Sequence, residues 1–409
     1  MLASQLYATT DVLPVAGLDR LAEHLPNAWI EQALEATGTA SIRRRRLPAE
    51  QVVWLVIALA IYRRQSMPEV LATLDLALSA ASAQAVSKSA VTQARQRLGA
   101  KPLAQLFDQT ARAWCQQDAE YHAWQGLSLW AMDGTTFRTP DSTNNRAHFG
   151  AQAYASGKVA SYPQVRAVSI TAIPTHLVSD IAFGTYAQNE MLYAKTLVGR
   201  IADHSLTVFD RGFLSAEILL GLTLGGQERH YLIPAKSNTK WEVLSGSADD
   251  CLVRMRVSPQ ARAKAPELPE HWTARAVRMV SANGKQRVLL TSLLDRRRFK
   301  AEALAECYRR RWEIETSYRE LKQSMLGEAL TLRSQQPEGI EQEIWGALIA
   351  YNLVRLEMAK TAIEAKVEPT DLSFLRALHI LQHEMIWAVG MAPGKLPAHL
   401  VRLRTQMQF

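Results

Sequence analysis

The sequence predicts a mixed α/β protein, with an α/β core interrupted by a β-rich insertion, an all-α region before the core and further helices after it. Two observations predict it. From residue 127 onward, short strand-like runs and helical stretches follow in the order strand, strand, strand, helix, strand, helix, the order of an α/β core. Between residues 230 and 295 that order gives way to further strand-like runs separated by Ser, Gly, Pro and charged loops, and helical periodicity resumes near residue 300.

Each element has its own reason. Pro48 suits a first helical position, and residues 49–62 are apolar almost all round, as expected of a buried helix. Residues 87–98 form a second helix that carries Lys88, Arg95 and Arg97. Strands are expected at 127–132, 165–173, 177–183 and 206–209, with turns at Gly134, Gly150, Gly157, Pro174 and Gly184. Helices are expected at 189–201 and 214–224, and the insertion contributes strands at 231–233, 252–257, 274–280 and 287–293. One long helix should run from 300 to 326, followed by helices at 340–366 and 372–389. The implied domains are 1–126, helical; 127–229 with 296–366, catalytic core; 230–295, insertion; and 367–409, a helical carboxy-terminal segment.

A chain of 409 residues with 48% apolar and 21% charged composition packs most of itself into cores. Its 47 Lys and Arg against 39 Asp and Glu give a formal charge of +8, which favours a polyanionic partner such as nucleic acid. Basic residues cluster at Arg43 to Arg46 with Arg63 and Arg64, and again at Arg296 to Arg298, Lys300 and Arg309 to Arg311, although either run alone also suits a solvated face. The three cysteines, Cys115, Cys251 and Cys307, are too scattered for a disulfide framework or a CxxC zinc site. No signal peptide or membrane span is expected, because the longest apolar run, 52–62, is far short of the ~20 residues a span needs. A reducing cytoplasm fits these features.

Chemistry concentrates on three acids. Asp133 follows the apolar run 127–132 and precedes Gly134, which places it at the lip of the first core strand. Asp210 repeats the design after 206–209 and before Arg211 and Gly212, and acids at two strand ends of one sheet can meet in space. Either aspartate taken alone could also simply cap its turn. On the predicted 300–326 helix, at ~100° per residue with Arg311 set at zero, Glu315 falls at ~40°, Lys322 at ~20° and Tyr308 at ~60°. Glu315 thus stands at the edge of the apolar face of Ile314, Tyr318, Leu321 and Met325. An intrahelical Arg311–Glu315 pair, worth ~0.3 to 0.5 kcal/mol, accounts for that spacing without any catalysis. Three converging carboxylates, by contrast, would repel one another unless divalent cations lay between them.

These blocks resemble the DDE transposases of the insertion sequence 4 family. Tyr308, Arg311, Glu315 and Lys322 stand at that family's spacing of Tyr, two residues, Arg, three residues, Glu, six residues, Lys. Asp133, Gly134 and Thr135 with Pro140, Asp141, Asn145, Phe149 and Gly150 look like its first-acid block, and Asp210, Arg211, Gly212 and Phe213 like its second. The region from Arg43 to Leu98 looks like the family's amino-terminal domain. The resemblance implies a ribonuclease-H-like core with a β-rich insertion between the second and third acids. It implies Asp133, Asp210 and Glu315 as catalytic metal ligands for two Mg2+ ions, for which Mn2+ can substitute, with Asp133 bridging both. It implies nicking at the ends of an insertion sequence and transfer of 3′-hydroxyls into target DNA.

The partner would be double-stranded DNA, both the inverted-repeat ends and the target, with no membrane and with a dimer in the DNA-bound synaptic complex. Tyr308, Arg311 and Lys322 would hold backbone near the cut, and Arg211, Lys88, Arg95 and Arg97 are further DNA-binding candidates. Some relatives pass through a hairpin assisted by an aromatic stacked on a flipped base; Trp241 and Trp272 are candidates for that role or for the core. Glu190 suits the positive end of its helix or supports the active site, and His379 and His383 have no evident third metal ligand. Two other readings use the same residues: a nuclease of the same fold that does not join strands, and a catalytically silent DNA-binding protein.

Overall fold

The computed structural model describes residues 24–40, 47–73, 87–154, 157–280, 284, 286–327, 332–388 and 407. The basic run Arg43 to Arg46 lies outside the described residues.

The amino-terminal region is helical: α1 (Asn27–Ala36), α2 (Ala49–Ile61), α3 (Met67–Thr73), α4 (Lys88–Leu98) and α5 (Lys101–Tyr121). Every residue of α2 from Val52 to Ile61 is buried, as its all-round apolar sequence requires. The Ser87 hydroxyl caps α4 by accepting from the Ala90 amide at 3.2 Å.

The core follows with β1 (Ser128–Arg138), α6 (Thr143–Phe149), β2 (Gln164–Ala172), β3 (Val178–Thr185), α7 (Glu190–Val198), β4 (Ser205–Phe209), α8 (Ala216–Leu224) and β5 (Arg229–Pro234). Then come β6 (Glu242–Gly246), β7 (Asp250–Arg256), α9 (Pro259–Lys264), β8 (His271–Val280) and β9 (Gln286–Thr291). Strands β3, β2 and β1 are antiparallel neighbours, while β1, β4 and β5 run parallel, the topology of a ribonuclease-H-like core.

The insertion is not a sheet apart. One nine-stranded sheet runs β3-β2-β1-β4-β5-β9-β8-β7-β6. The expected boundary at 229/230 falls at the start of β5, whose residues Arg229 to Leu232 pair with β4, so that strand belongs to the core. Strand β9 then pairs with β5 and carries the sheet outward. Arg275 on β8 is wholly buried, bonds both Asp250 carboxylate oxygens at 2.8 and 2.7 Å, and donates to the Phe299 carbonyl at 2.6 Å. It ties the outer strands to the segment that leads back to the core.

After the insertion the expected single helix is three pieces: α10 (Ala301–Arg309), α11 (Trp312–Arg319) and a π-helical turn, Glu320–Met325. The break follows from tight i→i+3 bonds, Arg311 to Tyr308, Glu313 to Arg310 and Ile314 to Arg311, which tuck the chain at the run of arginines. The π turn closes with Leu326 donating to Leu321, and such turns recur at functional sites.

Helix α12 (Pro337–Ala365), 29 residues and ~44 Å long, packs against α2, α5 and α13 (Phe374–Ala388). Its crossing with α2 is close enough that a Cβ on Gly346 would lie 2.6 Å from Val56 Cγ1 and 3.1 Å from the Val56 carbonyl oxygen. Gly346→Val is therefore expected to lower stability by roughly 1 to 3 kcal/mol through overpacking, read as a lower urea midpoint. An unchanged midpoint would show that the two helices can separate without cost.

Candidate active site

The sheet alternates its faces. On β1, Trp130 and Met132 join the larger core, while Leu129 and Ala131 join a second core with Tyr308, Ile314 and Tyr318. Asp133 continues the odd series and so faces α10 and α11.

Parallel pairing brings the second acid alongside. The β1–β4 ladder ends with Met132 opposite Phe209, and the next residues are Asp133 and Asp210, on strands ~4.8 Å apart. Asp210 does cap its turn, accepting from the Gly212 amide at 3.2 Å, so the local account of that residue holds beside the functional one. Arg211 follows it, exposed, on the short 3-10 turn Arg211–Phe213.

Arg311 joins the first and third acids. It donates to Glu315 Oε1 at 2.8 Å and to Asp133 Oδ2 at 3.2 Å. The intrahelical pair is thus real but is only half of the guanidinium's work. Burial disfavours the Arg311 charge, yet bonding to Glu315 and the proximity of Asp133 outweigh it and hold the pKa above its ordinary value.

Asp133 is the most constrained acid. Its Oδ1 accepts from the Gly134 amide at 2.7 Å, and its main-chain carbonyl accepts from the Tyr318 hydroxyl at 2.7 Å. Tyr318 also meets Ser169 at 2.8 Å, the β2 residue paired with Asp133. Burial pushes the Asp133 carboxyl up to about 6, helped by Asp210 and Glu315 and opposed by Gly134 and Arg311.

Lys322, on the π turn, reaches the same strand, donating to Thr135 Oγ1 at 3.1 Å and the Thr136 carbonyl at 3.4 Å. Burial, reinforced by Arg138, holds its pKa below the usual lysine value. Tyr308 is buried beneath Arg311, and burial pushes its hydroxyl pKa up. Of the amino-terminal candidates, Lys88 and Arg97 are exposed. Arg95 is turned inward, donating to Gln342 at 2.8 Å beside Glu343, and so helps seat α4 on α12.

Glu190 opens α7 with its carboxyl against Gly134, where a Cβ would come within 2.4 Å of Glu190 Cδ. A side chain at that position would have to displace the Glu190 carboxyl. Trp272 is buried against Tyr231 and Trp241 is packed on the core. Trp312, by contrast, is 62% exposed at the start of α11, directly after Arg311. A tryptophan outside the apolar stripe of an amphipathic helix is the signal in the sequence that marks it.

The donor set is hard carboxylate oxygen, suited to Mg2+ or Mn2+. Among the described residues no three His, Cys, Asp or Glu side chains are gathered closely enough to hold an ion as they stand, and Arg311 lies between Asp133 and Glu315.

Comparison with known proteins gives the family. Residues 15–108 match the model of the insertion element 4 transposase amino-terminal region, and residues 124–353 match that of the transposase DDE domain. The chain is 39% identical, over 93% of its length and 86% of the relative's, to the transposase InsG for insertion sequence element IS4 of Escherichia coli strain K12. The chain belongs to the insertion sequence 4 family of DDE transposases.

This transposase is also 35% identical to the putative transposase InsZ of the same organism, over 57% of this chain and 77% of that one. Among solved structures, a piggyBac transposase synaptic complex with hairpin DNA aligns with 92% of this chain and 81% of that one, at a TM-score of 0.41 and 12% identity. The family expected from the sequence is the one that the family models and the InsG transposase return. The protein is thus an enzyme that cleaves DNA and transfers strands, and its DDE domain implies a divalent metal requirement. No helix among the described residues is long and apolar enough to cross a membrane.

Proposed function

We propose that this transposase cuts at the ends of an insertion sequence and joins the freed 3′-hydroxyls to target DNA, with Asp133, Asp210 and Glu315 as its catalytic carboxylates. The observation that carries the assignment is that Asp133, within β1, and Asp210, just past the end of β4, each lie one residue beyond the last β1–β4 pair, while Arg311 connects Asp133 to Glu315. The three would hold two Mg2+ ions, or Mn2+. Bound there, the ions would activate a water or a DNA 3′-hydroxyl and stabilise the leaving oxygen.

The chain's own groups do the rest. Tyr318 and Ser169 fix the main chain at Asp133, so its carboxylate needs little reorganisation. Arg311 and Lys322 present cations along β1 to backbone phosphates, Tyr308 supports Arg311 from below, and Arg211 extends the contact beyond the second acid. Trp312 offers a face on which an unpaired base can stack. Lys88 and Arg97 contact DNA from the helical domain of residues 1–126, with Arg95 holding their helix in place. Pairing of two element ends calls for at least two copies in the synaptic complex.

The test is cleavage of a labelled duplex that carries the element's own end, with Mg2+ and with EDTA, by wild type and by Asp133→Ala. Metal-dependent cutting at the end boundary that vanishes in the variant is expected. Cutting unaffected by the variant would mean that the carboxylates are others.

A pH dependence follows. A proton and a cation compete for Asp133, so metal affinity is expected to fall about tenfold per pH unit below about 6, measurable by Mn2+ titration. In EDTA the sign for stability is opposite. A folded pKa above the unfolded value contributes stability that is lost as pH rises from about 4 to about 6. A flat Mn2+ affinity from pH 5 to 7 would remove Asp133 from the metal site.

A further inference from the structure

A largely buried network of charged side chains joins the β2–β3 turn to α11, the π turn and α12, close to Glu315. His176 is 1% exposed in that turn and has φ 61°, in the left-handed region that few non-glycine residues adopt but that histidine enters more readily than most. Its Nε2 meets Glu313 at 3.0 Å and its Nδ1 meets Glu320 at 3.2 Å. Glu320 also accepts from the Tyr351 hydroxyl at 2.7 Å and pairs with Arg355 at 3.5 Å. Arg355, fully buried, donates in turn to the Thr175 carbonyl at 2.6 Å, which closes the ring back on the residue before His176.

The two carboxylates that His176 holds bracket Glu315 in sequence. Glu313 lies in the first turn of α11, and Glu320 opens the π turn that carries Lys322. One imidazole therefore grips the chain on both sides of the third acid and at the point where the helical winding changes. Glycine would occupy a left-handed turn position without strain, so the turn alone does not explain a histidine there.

We propose that His176 is a positioning residue for strand cutting, holding Glu313 and Glu320 so that Glu315 and Lys322 stand over β1 in the geometry the reaction needs. This rests on the assignment of Glu315 as a catalytic carboxylate. Groups that orient metal-binding side chains are typically worth 10- to 100-fold in affinity or activity, and a displacement of ~1 Å at a reacting centre costs about 100-fold.

The experiment compares wild type with His176→Gly and His176→Asn, both of which tolerate a left-handed backbone, and with Glu315→Gln as a control. His176→Gly is expected to lower the thermal midpoint by a few degrees while staying folded at the assay temperature, to keep the affinity for an end duplex, to lower kcat for end cleavage by about 30- to 100-fold, and to weaken Mn2+ binding, read by electron paramagnetic resonance, about tenfold. His176→Asn, able to bond one carboxylate, should fall between. Wild-type kcat and Mn2+ affinity in His176→Gly, with Glu315→Gln inactive, would overturn the positioning role and leave the assignment of Glu315 standing. Normal cleavage by Glu315→Gln would overturn that assignment itself. Failure of His176→Gly to fold would make His176 a structural residue and would also overturn the proposal.

Discussion

Glu315→Gln is expected to bind an end duplex within about twofold of wild type and to cleave it at least ~1,000-fold more slowly, a loss of about 4 kcal/mol of transition-state stabilisation. Glutamine keeps the length of the side chain and an oxygen for the Arg311 guanidinium 2.8 Å away. It removes the negative charge that the reaction requires at a cation. Binding should survive because DNA affinity resides in the arginines and lysines, not in a carboxylate that repels phosphate. Gel shift for binding and single-turnover cleavage for chemistry separate the two. Loss of binding would show instead that Glu315 holds the α11 region together.

Arg275→Ala is expected to destabilise the protein by roughly 3 to 5 kcal/mol, the cost of breaking a buried pair by removing one partner. The guanidinium is wholly buried, so its loss opens a cavity and leaves the Phe299 carbonyl without its donor. Asp250 retains Arg296 at 3.4 Å, which places the effect toward the lower end. Hydrogen bonding from Arg275 holds the Asp250 pKa below the usual carboxylate value. The stability this supplies is present above the unfolded pKa and is lost as pH falls through the folded one, so the gap between wild type and variant should narrow in acid while the cost of the cavity and of the Phe299 carbonyl remains. Urea unfolding at pH 7 and at pH 3 checks both statements. A difference under 1 kcal/mol at pH 7 would show that the outer strands hold to the core without this residue.

The helices and strands were legible where a periodic pattern decided them. Helix α2, apolar all round, is buried from Val52 to Ile61, and β4 coincides with the apolar run that ends at Asp210. Strand β1 instead runs on through Asp133 and Gly134 to Arg138, so Gly134 is a strand residue and not the expected turn, because β2 pairs with β1 along that whole length. Where tertiary contacts chose between local alternatives, the pattern failed. The helix expected at 300–326 has apolar residues at helical spacing throughout, yet the chain tightens at Arg311 and widens at Glu320, because side chains there are drawn to Asp133 and to His176. The β5 boundary was missed for a related reason. A short apolar run reads the same whether it extends a core sheet or founds a new one, and only its pairing with β4 and β9 tells them apart.

The sequence by itself determined the family and the α/β order, and it singled out the three acids and basic companions proposed as the site, because these depend on residue types at fixed spacings along the chain. The tertiary structure alone decided what lies beside them. It placed Asp133 next to Asp210 through a parallel register, turned Arg95 inward while Trp312 stayed in solvent, and closed the ring of His176, Glu313, Glu320 and Arg355 from three separate segments. Spacing along a helix or strand is periodic and can be read from a sequence. A contact between residues more than 100 positions apart is set by how the whole core packs, and no local pattern encodes it.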